Sequence, residues 1–591
     1  MEVESRRIDV EMGDQISSTP DNSSRSPSKT RGGWRAVKFI IVTDTFEKMA
    51  TVSLFANITV YLRKMYNMDG ILLLNVVNVW NGSTNILTFP GAILSDAFLG
   101  RFYTVLLGSV SCMLGMLTMT LGAGIPKLRP PTCNPNNSEH CIQAKPWQLS
   151  ILFTALILIA IGSGGIRPCN VAFGTDQFDS TTEKGRAQLA RFYNWWYFSF
   201  TVSLALALTG LVYIQTNISW TIGFGIPTGC FVLSISIYLL GCHTYIFKEP
   251  KGSIFIDMVR VFVAAFKKRK VTMTSRGDYV IYNPHIDESS GKIARLSRSN
   301  RLKFFDKAAV IVDSSEVNGD GIVVDKWRLC SVQQVEQLKC LIGVLPVTLT
   351  GILCNVAMDQ QGTFGVLQAL QINRKVGNKH FVIPPAWITL TCMASLSIWI
   401  LIYENIILGI WRKLAKRSGV RWSVKARIRN GIVMAILCMT TGAVIEFKRR
   451  EAALKAKSFV SPIAIWWMAP QLMLSGLIEA FAAVSMLEFL TTQMPEELRS
   501  LASSLYFLCS SMSSYLCTAI VNIMYTASRK KDGTAWLGGH DLNKNRLDYY
   551  YAVLACIEIF NLFYFTFVGS KFMIVDKISP SEASDSTDTT S

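Results

Sequence analysis

Twelve apolar runs are the feature that most restricts the fold of this 591-residue chain. About 20 consecutive apolar residues suffice for a helix to cross a bilayer. The runs fall into two sets of six, at about 39–63, 72–97, 103–125, 148–168, 192–214 and 219–246, and at about 336–358, 384–410, 430–447, 461–490, 499–526 and 549–572. The pattern predicts an all-α polytopic membrane protein with twelve transmembrane helices in two six-helix bundles.

Composition supports this fold class and argues against a nucleic-acid partner. Half of the residues are hydrophobic and 17% are charged, whereas a soluble protein of this length carries more charge. The formal net charge of +18 is also typical of nucleic-acid-binding proteins. The basic residues, however, lie mainly in short segments between apolar runs, as the positive-inside rule requires of cytosolic loops. The predicted partners are therefore the lipid bilayer and a small solute.

The distribution of basic residues also predicts the topology. An even number of helices places both termini on one side, and the basic connections at 248–335 and 411–429 indicate that this side is the cytosol. Two basic clusters, 448–450 and 529–531, fall on the outer side and disagree with the rule. The predicted organisation is a disordered cytosolic tail at 1–38 without a signal peptide, an N-terminal bundle at 39–247, a cytosolic linker at 248–335, a C-terminal bundle at 336–572 and a cytosolic tail at 573–591. Within the linker, 253–266 predicts a helix along the membrane surface or, alternatively, a linker helix packed on the bundles.

Three ionisable residues, Asp44, Glu47 and Lys48, interrupt the first apolar run. Ionisable groups at membrane depth are costly and are candidates for function by default. On a helix, spacings of three and four residues place these groups on nearly one face. The arrangement favours a site that binds and releases a proton. The alternative is that Asp44 serves only as a structural partner of Lys48.

Further charges mark the ends or interiors of other apolar runs. Arg167 ends a glycine-rich run and Glu479 lies within the tenth, and neither can be buried alone without a large desolvation cost. Asp359 ends the seventh run, where it is either a second proton site or a solvated residue at the external mouth. At the connection after the second run, Asp96, Gly100 and Arg101 can lock two helix ends together on the cytosolic side as a latch.

Cysteine and histidine usage predicts neither a metal centre nor an enzyme. The fourteen cysteines lack CxxC and zinc-like spacings, and none of the five histidines lies deep in an apolar run. No nucleophile or metal constellation appears, so proton chemistry is left to carboxylates. Cys133 and Cys141 bracket a polar loop that holds a sequon at Asn136. Facing an oxidising compartment, this loop would carry a disulfide and a glycan, the alternative being two free thiols.

Aromatic and amide residues are the candidates for the lining of a central cavity. Rings stack on sugar-like or aromatic ligands and amides hold their hydroxyls. Aromatic residues at helical spacing are alternatively ordinary core residues. The predicted substrate-binding residues are Tyr61, Tyr193, Asn194, Trp195, Asn355, Met358, Gln360, Trp387 and Tyr506.

Several motifs together carry a family resemblance over almost the whole chain. They are GAILSDAFLGRF at 91–102, GSGGIRPCN at 162–170, FGTDQFD at 173–179, FYNWWYF at 192–198, FDKAA at 305–309 and WRLCSV at 327–332. The combination resembles the plant nitrate and peptide transporter family, part of the proton-dependent oligopeptide transporter group of the major facilitator superfamily. The resemblance implies two six-helix bundles that work by alternating access, with protons as the coupling ion and no other cofactor.

The resemblance also implies roles for individual residues. The charged stretch of the first run is similar to the family's ExxE(K/R) motif for proton coupling, from which Asp44 departs by one methylene. Arg167 and Glu479 would form a gate across the central cavity. Met358 stands where some nitrate-transporting relatives have a histidine, so that anion ligand is absent. Asp359 with Gln360 resembles the proton site of the peptide-transporting branch.

The predicted function is proton-coupled transport of a bulky solute. The stretches GGWRAVKFI, FYNWWYFSF and DLNKNRL resemble the branch that carries glycosylated specialised metabolites, such as flavonoid, iridoid or alkaloid glucosides and glucosinolates. The alternatives are low-affinity nitrate transport and a solute-gated receptor built on a transporter fold. The predicted location is the plasma membrane, with the vacuolar membrane as the alternative.

Overall fold

Twelve helical spans make up most of the protein in a computed structural model. The structure describes residues 32–131, 142–179, 182–248, 254–271, 280–283, 299, 301–318, 323–376, 381–403, 422–494, 499–529 and 535–573. Spans 1 to 6 are Trp34–Met65, Gly70–Ile86 with Thr88–Leu94, Gly100–Gly124, Pro146–Thr175, Glu183–Leu206 and Trp220–Leu240. Spans 7 to 12 are Val332–Leu370, Ile388–Leu401, Val424–Lys455, Ala469–Ile478 with Val484–Gln493, Arg499–Ser528 and Leu547–Tyr564.

Length and hydropathy account for most of these spans. Nine helical segments among the described residues are long and apolar enough to cross a membrane, and one of them, Gly70–Gly124, contains spans 2 and 3. Span 1, which carries the charged stretch, and the shorter apolar segment Pro385–Leu401 complete the twelve. The predicted all-α polytopic fold is confirmed.

The spans pack as two bundles. In the first, span 1 packs on spans 5 and 6, span 3 on spans 4 and 6, and span 2 on span 4. In the second, span 7 packs on span 11, span 10 on spans 8 and 9, and span 9 on span 12. Spans 2 and 11 form the main contact between the bundles.

Glycines allow spans 2, 3 and 4 to approach closely. A Cβ on Gly91 would lie 2.3 Å from the carbonyl oxygen of Gly164, and one on Gly108 would lie 2.8 Å from that of Gly162. Small residues at helix interfaces in membranes let backbones pack tightly. The glycine-rich part of span 4 is therefore a packing surface, and it fixes the position of Arg167, which follows directly.

One end of the molecule, which we call the His540 end, is closed between the bundles. Asn75 and Asn522 exchange hydrogen bonds of 3.1 and 3.0 Å between spans 2 and 11. The amide of Gly70 donates to the carbonyl of Gly539 at 3.2 Å, and Arg63 donates to the carbonyl of His540. Two short strand pairs, Ile372–Asn373 with Ser461–Ala464 and Lys375–Val376 with Phe381–Val382, are the named strands of the described residues.

The segment between the bundles is docked on both of them. Its helix, Ile254–Lys267, places the ring of Phe255 against Phe89 of span 2, with 4.0 Å between ring centroids. At the base of span 7, the Lys339 ammonium lies 2.5 Å from an Asp306 oxygen, and both side chains are buried. Since a buried charge needs its partner, this ion pair fastens the linker to the second bundle.

A buried polar network, here called the Arg449 network, lies near the His540 end of the second bundle. Arg449 of span 9 donates to both carboxylate oxygens of Glu446, at 2.7 and 2.8 Å, and to Asn543 at 2.9 Å. Gln368 of span 7 donates to Glu446 at 2.8 Å and accepts from Gln471 at 3.0 Å. The basic cluster at 448–450, which disagrees with the positive-inside rule, thus has its central charge neutralised inside the protein.

Candidate functional site

The candidate site is a cavity of about 1220 Å³ between the two bundles. Spans 1, 2, 4 and 5 supply one wall, spans 7, 8, 10 and 11 supply the other, and Phe255 of the linker helix joins them. The cavity reaches Asp96 and Arg101, whose side chains are 44% and 34% exposed, at what we call the Arg101 end. With the His540 end closed, the cavity is open towards the Arg101 end.

The charged stretch of span 1 lies at this cavity. Asp44 and Lys48 contribute to the wall, whereas Glu47 is buried beside it. The Lys48 ammonium lies 3.6 Å from a Glu47 oxygen, and Asn170 of span 4 donates a hydrogen bond to Asp44. One oxygen of each carboxylate accepts no hydrogen bond within the described structure. Two buried carboxylates therefore lie near one ammonium and are incompletely hydrogen-bonded, which suits proton binding.

Arg167 also contributes to the cavity wall, on the same side as the charged stretch. It donates to the Asn85 side chain at 2.8 Å, and its guanidinium lies 5.1 Å from the centre of the Phe55 ring. Asn85 is on span 2 and Phe55 on span 1, so contacts within the first bundle hold the guanidinium in place.

Glu479 faces the same cavity from the second bundle. It begins a π-helical turn, Glu479–Ala483, that interrupts span 10. No ion pair or hydrogen bond joins it to Arg167 in this conformation, although both residues are described. The expected pairing is therefore absent here, because the bundles are apart at the Arg101 end and Arg167 is held by Asn85.

Asp359 of span 7 lies in the wall, next to Met358. One of its oxygens accepts hydrogen bonds from Ser513 and Ser514 of span 11, at 3.0 and 3.1 Å. The two predicted alternatives were a second proton site and a solvated residue at the external mouth. The structure puts it inside the cavity and partly buried, not freely solvated at an outer mouth.

Three of the nine predicted substrate-binding residues line the cavity: Tyr193, Met358 and Tyr506. The other six do not. Tyr61 is fully buried among Tyr66, Trp220 and Phe224, and Trp387 packs near Tyr213 and Phe381, so both belong to aromatic clusters away from the site.

The remaining four face other directions. Asn355 and Gln360 are buried within the second bundle, and Asn194 and Trp195 lie on the exposed side of span 5. The prediction that these residues line the cavity is wrong. For Asn194 and Trp195 the reason is that neighbouring residues on a helix point about 100° apart, so the contiguous stretch 193–195 cannot share one face.

Helical spacing reveals residues that the sequence analysis missed. Tyr193, Trp196 and Phe200 of span 5 recur at three and four residues and all line the cavity. Asn170 and Phe507 are further lining residues. The signal was present in the sequence, since the periodicity through Tyr193 predicts its two partners once that face is known to point inward.

The predicted latch has the expected residues and one further partner. Gly100 has a φ of 75°, a backbone conformation that favours glycine. The guanidinium of Arg101 lies 3.8 Å from Asp96 and also contacts Asp176, after span 4. Asp176 in turn lies 2.9 Å from the Lys248 ammonium. The predicted disulfide between Cys133 and Cys141 and the glycan at Asn136 lie outside the described residues.

Comparison with known proteins agrees with this architecture. A family model described as "POT family" matches residues 102–537. The Arabidopsis thaliana protein NRT1/PTR family 2.8 is 49% identical over 564 residues, which cover 94% of this chain and 99% of that protein. Protein NRT1/PTR family 2.13, from the same plant, is 39% identical and covers 91% of this chain and 86% of its own length.

Solved structures share the fold at low sequence identity. A crystal structure of the POT family transporter PepTSo matches with a TM-score of 0.65 and 16% identity, over 92% of this chain and 99% of that one. An auto-inhibited POT family peptide transporter matches with a TM-score of 0.64 and 14% identity, over 93% and 99%. These structures support the two-bundle fold.

Proposed function

Because the chain belongs to the POT family of membrane transporters, we propose that it couples proton movement to the transport of a bulky, hydroxyl-rich solute such as a glycosylated specialised metabolite. The observation that carries this proposal is the size and lining of the central cavity. Its volume of about 1220 Å³ exceeds the range of about 300–1,000 Å³ usual for small-molecule pockets. A four-atom anion such as nitrate would leave most of that space empty.

The lining supplies the contacts that a glucoside needs. Tyr193, Trp196 and Tyr506 offer ring faces and edges from opposite bundles. Asn81 and Asn170 place amide groups in the same cavity. Stacking on rings together with hydrogen bonds from amides is a common way to hold a sugar attached to an aromatic body.

Nitrate remains the weaker candidate because the Met358 side chain in the cavity wall has no donor for an oxyanion. Lys48 and Arg167 are cations that also face the cavity. Both have neighbouring groups already, since Lys48 lies near Glu47 and Arg167 is bound by Asn85. An anion would therefore compete with contacts inside the protein.

Proton coupling is assigned to the two buried carboxylates of span 1. We expect a proton bound between Asp44 and Glu47 to weaken the attraction that holds Lys48, and its release to restore it. Such a change alters which conformation is favoured, because burying a charge is tolerated only with its partner. Asp359, which faces the same cavity from the other bundle, is the second proposed proton site.

Alternating access would bring Arg167 and Glu479 together. They face one cavity from different bundles and are not paired with each other in the present conformation. Closure at the Arg101 end narrows the cavity between them, so their pairing would favour the opposite state. If the predicted topology holds, the Arg101 end faces the cytosol and the present conformation is open inward, at the plasma membrane or, alternatively, the vacuolar membrane.

Uptake into proteoliposomes tests the proposed solute. The purified protein would be given a labelled phenolic glucoside, nitrate and a dipeptide, with and without an inward proton gradient. We expect the gradient to drive accumulation of the glucoside. Accumulation of nitrate alone would favour the nitrate alternative, and binding without uptake of any solute would favour a receptor.

A pair of variants on one helix links that uptake to the cavity. Tyr193→Ala removes a ring from the wall, and we expect glucoside uptake to fall about tenfold through lost stacking. Tyr197→Ala is the matched control, because Tyr197 is 65% exposed on the same span and is not among the described residues that line the cavity. Equal effects of the two substitutions would contradict the assigned solute site.

A further inference from the structure

A second cavity, of about 490 Å³, lies at the His540 end between the same two bundles. Four basic residues contribute to its lining. Arg63 and Lys64 come from the end of span 1, Arg374 follows span 7, and His540 lies in the loop between spans 11 and 12. No aspartate or glutamate is among the described residues that line it. The cavity is therefore a positively charged space, separate from the central site.

Two of these cations have donors to spare. Arg374 gives one guanidinium hydrogen bond to the Ile383 carbonyl, at 3.0 Å. Lys64 is exposed, and neither Lys64 nor Arg374 has an ion pair within the described part of the chain. Arg63 differs, because carbonyl oxygens of Met68 and His540 already accept from it. Lys64 and Arg374 are thus the groups that an anionic ligand would meet.

The nearest carboxylates are engaged elsewhere. An Asp69 oxygen lies 2.9 Å from Nε2 of His540 and faces solvent, with the side chain 52% exposed. Asp541 accepts from the backbone amide of Asn543 at 2.9 Å and from Gln371 at 3.5 Å. These acids offset the charge of their own neighbours. Among the residues that the structure describes, Lys64 and Arg374 therefore have no carboxylate partner.

The rest of the lining is largely apolar. Leu74 and Trp220 belong to the first bundle, and Leu367 and Leu370 to the second. From this combination we infer that the cavity binds an amphipathic organic anion, with a carboxylate, sulfate or sulfonate held by Lys64 and Arg374. A guanidinium matches such planar or multi-oxygen groups well. The apolar body of the ligand occupies the space between Trp220 and Leu367.

Occupancy of this site has a conformational consequence. The two anion-binding residues belong to different bundles, so opening of the His540 end separates them. A ligand bound to both stabilises the closed arrangement and opposes opening. The site thereby acts as a brake on any cycle that requires this end to open, whatever the transported solute.

Binding measurements on the purified full-length protein in nanodiscs test the inference. The probe is naphthalene-1-sulfonate, and its neutral counterpart is naphthalene-1-sulfonamide. We expect calorimetric binding of the sulfonate, at least about tenfold weaker in Lys64→Gln/Arg374→Gln, and weaker binding at high salt because part of the attraction is between charges. Lys448→Gln is the control, since Lys448 is a basic residue of the same end that lies over the Trp467 ring and outside the cavity.

Two further variants separate this site from the central cavity. Tyr506→Ala alters the central wall and is expected to leave sulfonate affinity unchanged. Loss of affinity in Tyr506→Ala but not in Lys64→Gln/Arg374→Gln would overturn the assignment. So would a wild-type protein that does not bind the sulfonate, or one that binds the neutral sulfonamide with equal affinity. Because binding is measured without transport, failure of the proposed solute would not alter this result.

Discussion

The first bundle and the second bundle each bury a cluster of opposite charges, but the two clusters differ in how completely their atoms are bonded. In the Arg449 network, Glu446 accepts three hydrogen bonds, and Arg449 also donates to Asn543 and to the carbonyl of Gln371. In span 1, the Glu47 oxygen that faces the Lys48 ammonium lies 3.6 Å from it and accepts no hydrogen bond.

The difference separates structural from functional charge. The two-pronged Glu446–Arg449 ion pair at the centre of this network is rigid, because any change leaves an unpaired charge in a low-dielectric interior. A cluster whose groups are incompletely hydrogen-bonded loses less interaction energy when a proton binds to it. We therefore interpret the Arg449 network as part of the scaffold and the charged stretch of span 1 as the part that changes during function.

The largest effect is expected from Arg449→Met. The substitution leaves Glu446 buried without its counter-charge, which costs about 3–5 kcal/mol, a large part of the stability of a typical domain. We expect little folded protein by size-exclusion chromatography in detergent. Glu446→Leu combined with Arg449→Met should recover part of the loss, since the uncompensated charge is gone. A single variant as stable as the wild type would contradict the structural role.

Glu47→Gln should reduce transport about as severely as Arg449→Met reduces the amount of folded protein. Its effect on folding should be small. The amide has the same shape but cannot bind a proton, so we expect gradient-driven uptake to fall to the level of empty liposomes. The melting temperature should change by no more than about 4 °C, which corresponds to roughly 1 kcal/mol in a large domain. Glu488→Gln, at a half-exposed ion pair with Arg427, is the control. Unchanged uptake by Glu47→Gln would make the span 1 cluster structural as well.

Asp359→Asn should change the pH dependence of uptake more than it changes the maximum rate of uptake. The amide oxygen can still accept from Ser513 and Ser514, but the group no longer titrates. We expect the response to pH to flatten, with the midpoint displaced by about one pH unit. Asp313→Asn, at an exposed linker position, is the control. Superimposable profiles for the wild type and Asp359→Asn would exclude this carboxyl from coupling.

The smallest effect is expected at His540, beside the Arg449 network. Burial and the nearby charge of Arg63 lower the pKa of this histidine, while Asp69 opposes the shift. A lowered pKa means that the unfolded chain binds the proton more readily. The resulting stability is present above about pH 6.5 and is lost as the pH falls through the lowered value.

This loss should amount to less than about 1 kcal/mol, because the group is only partly buried. Melting temperatures of wild type and His540→Gln, recorded over a descending pH series, measure it. We expect the wild-type value to fall more steeply than that of the variant. Parallel curves would show that His540 does not couple protonation to folding.

The sequence predicted the spans well because each is a long apolar run, and a long run has few alternative structures in a bilayer. It predicted the direction of side chains poorly. In a run that is apolar all round, hydrophobicity does not distinguish the lipid-facing side from the cavity-facing side. It therefore does not separate Trp195 from Trp196, which lines the cavity.

Two pairs of charged residues show what can and cannot be predicted from sequence spacing. Glu446 and Arg449 are three residues apart on one helix, so their pairing was readable from spacing alone. The separation of Arg167 from Glu479, by contrast, belongs to the conformation that the structure shows, and the proposed alternating-access cycle would bring the two residues together. Spacing along the sequence does not say which of two conformations a structure will display.

Phe255 has a consequence for protein engineering. This ring belongs to the segment between the bundles, yet it lies in the wall of the central cavity and against Phe89. Chimaeras that exchange only transmembrane helices between relatives would therefore carry a hybrid cavity, with one surface inherited from the parent that supplied the connecting segment. Transfer of solute preference from one relative to another should require that segment to travel with the bundles.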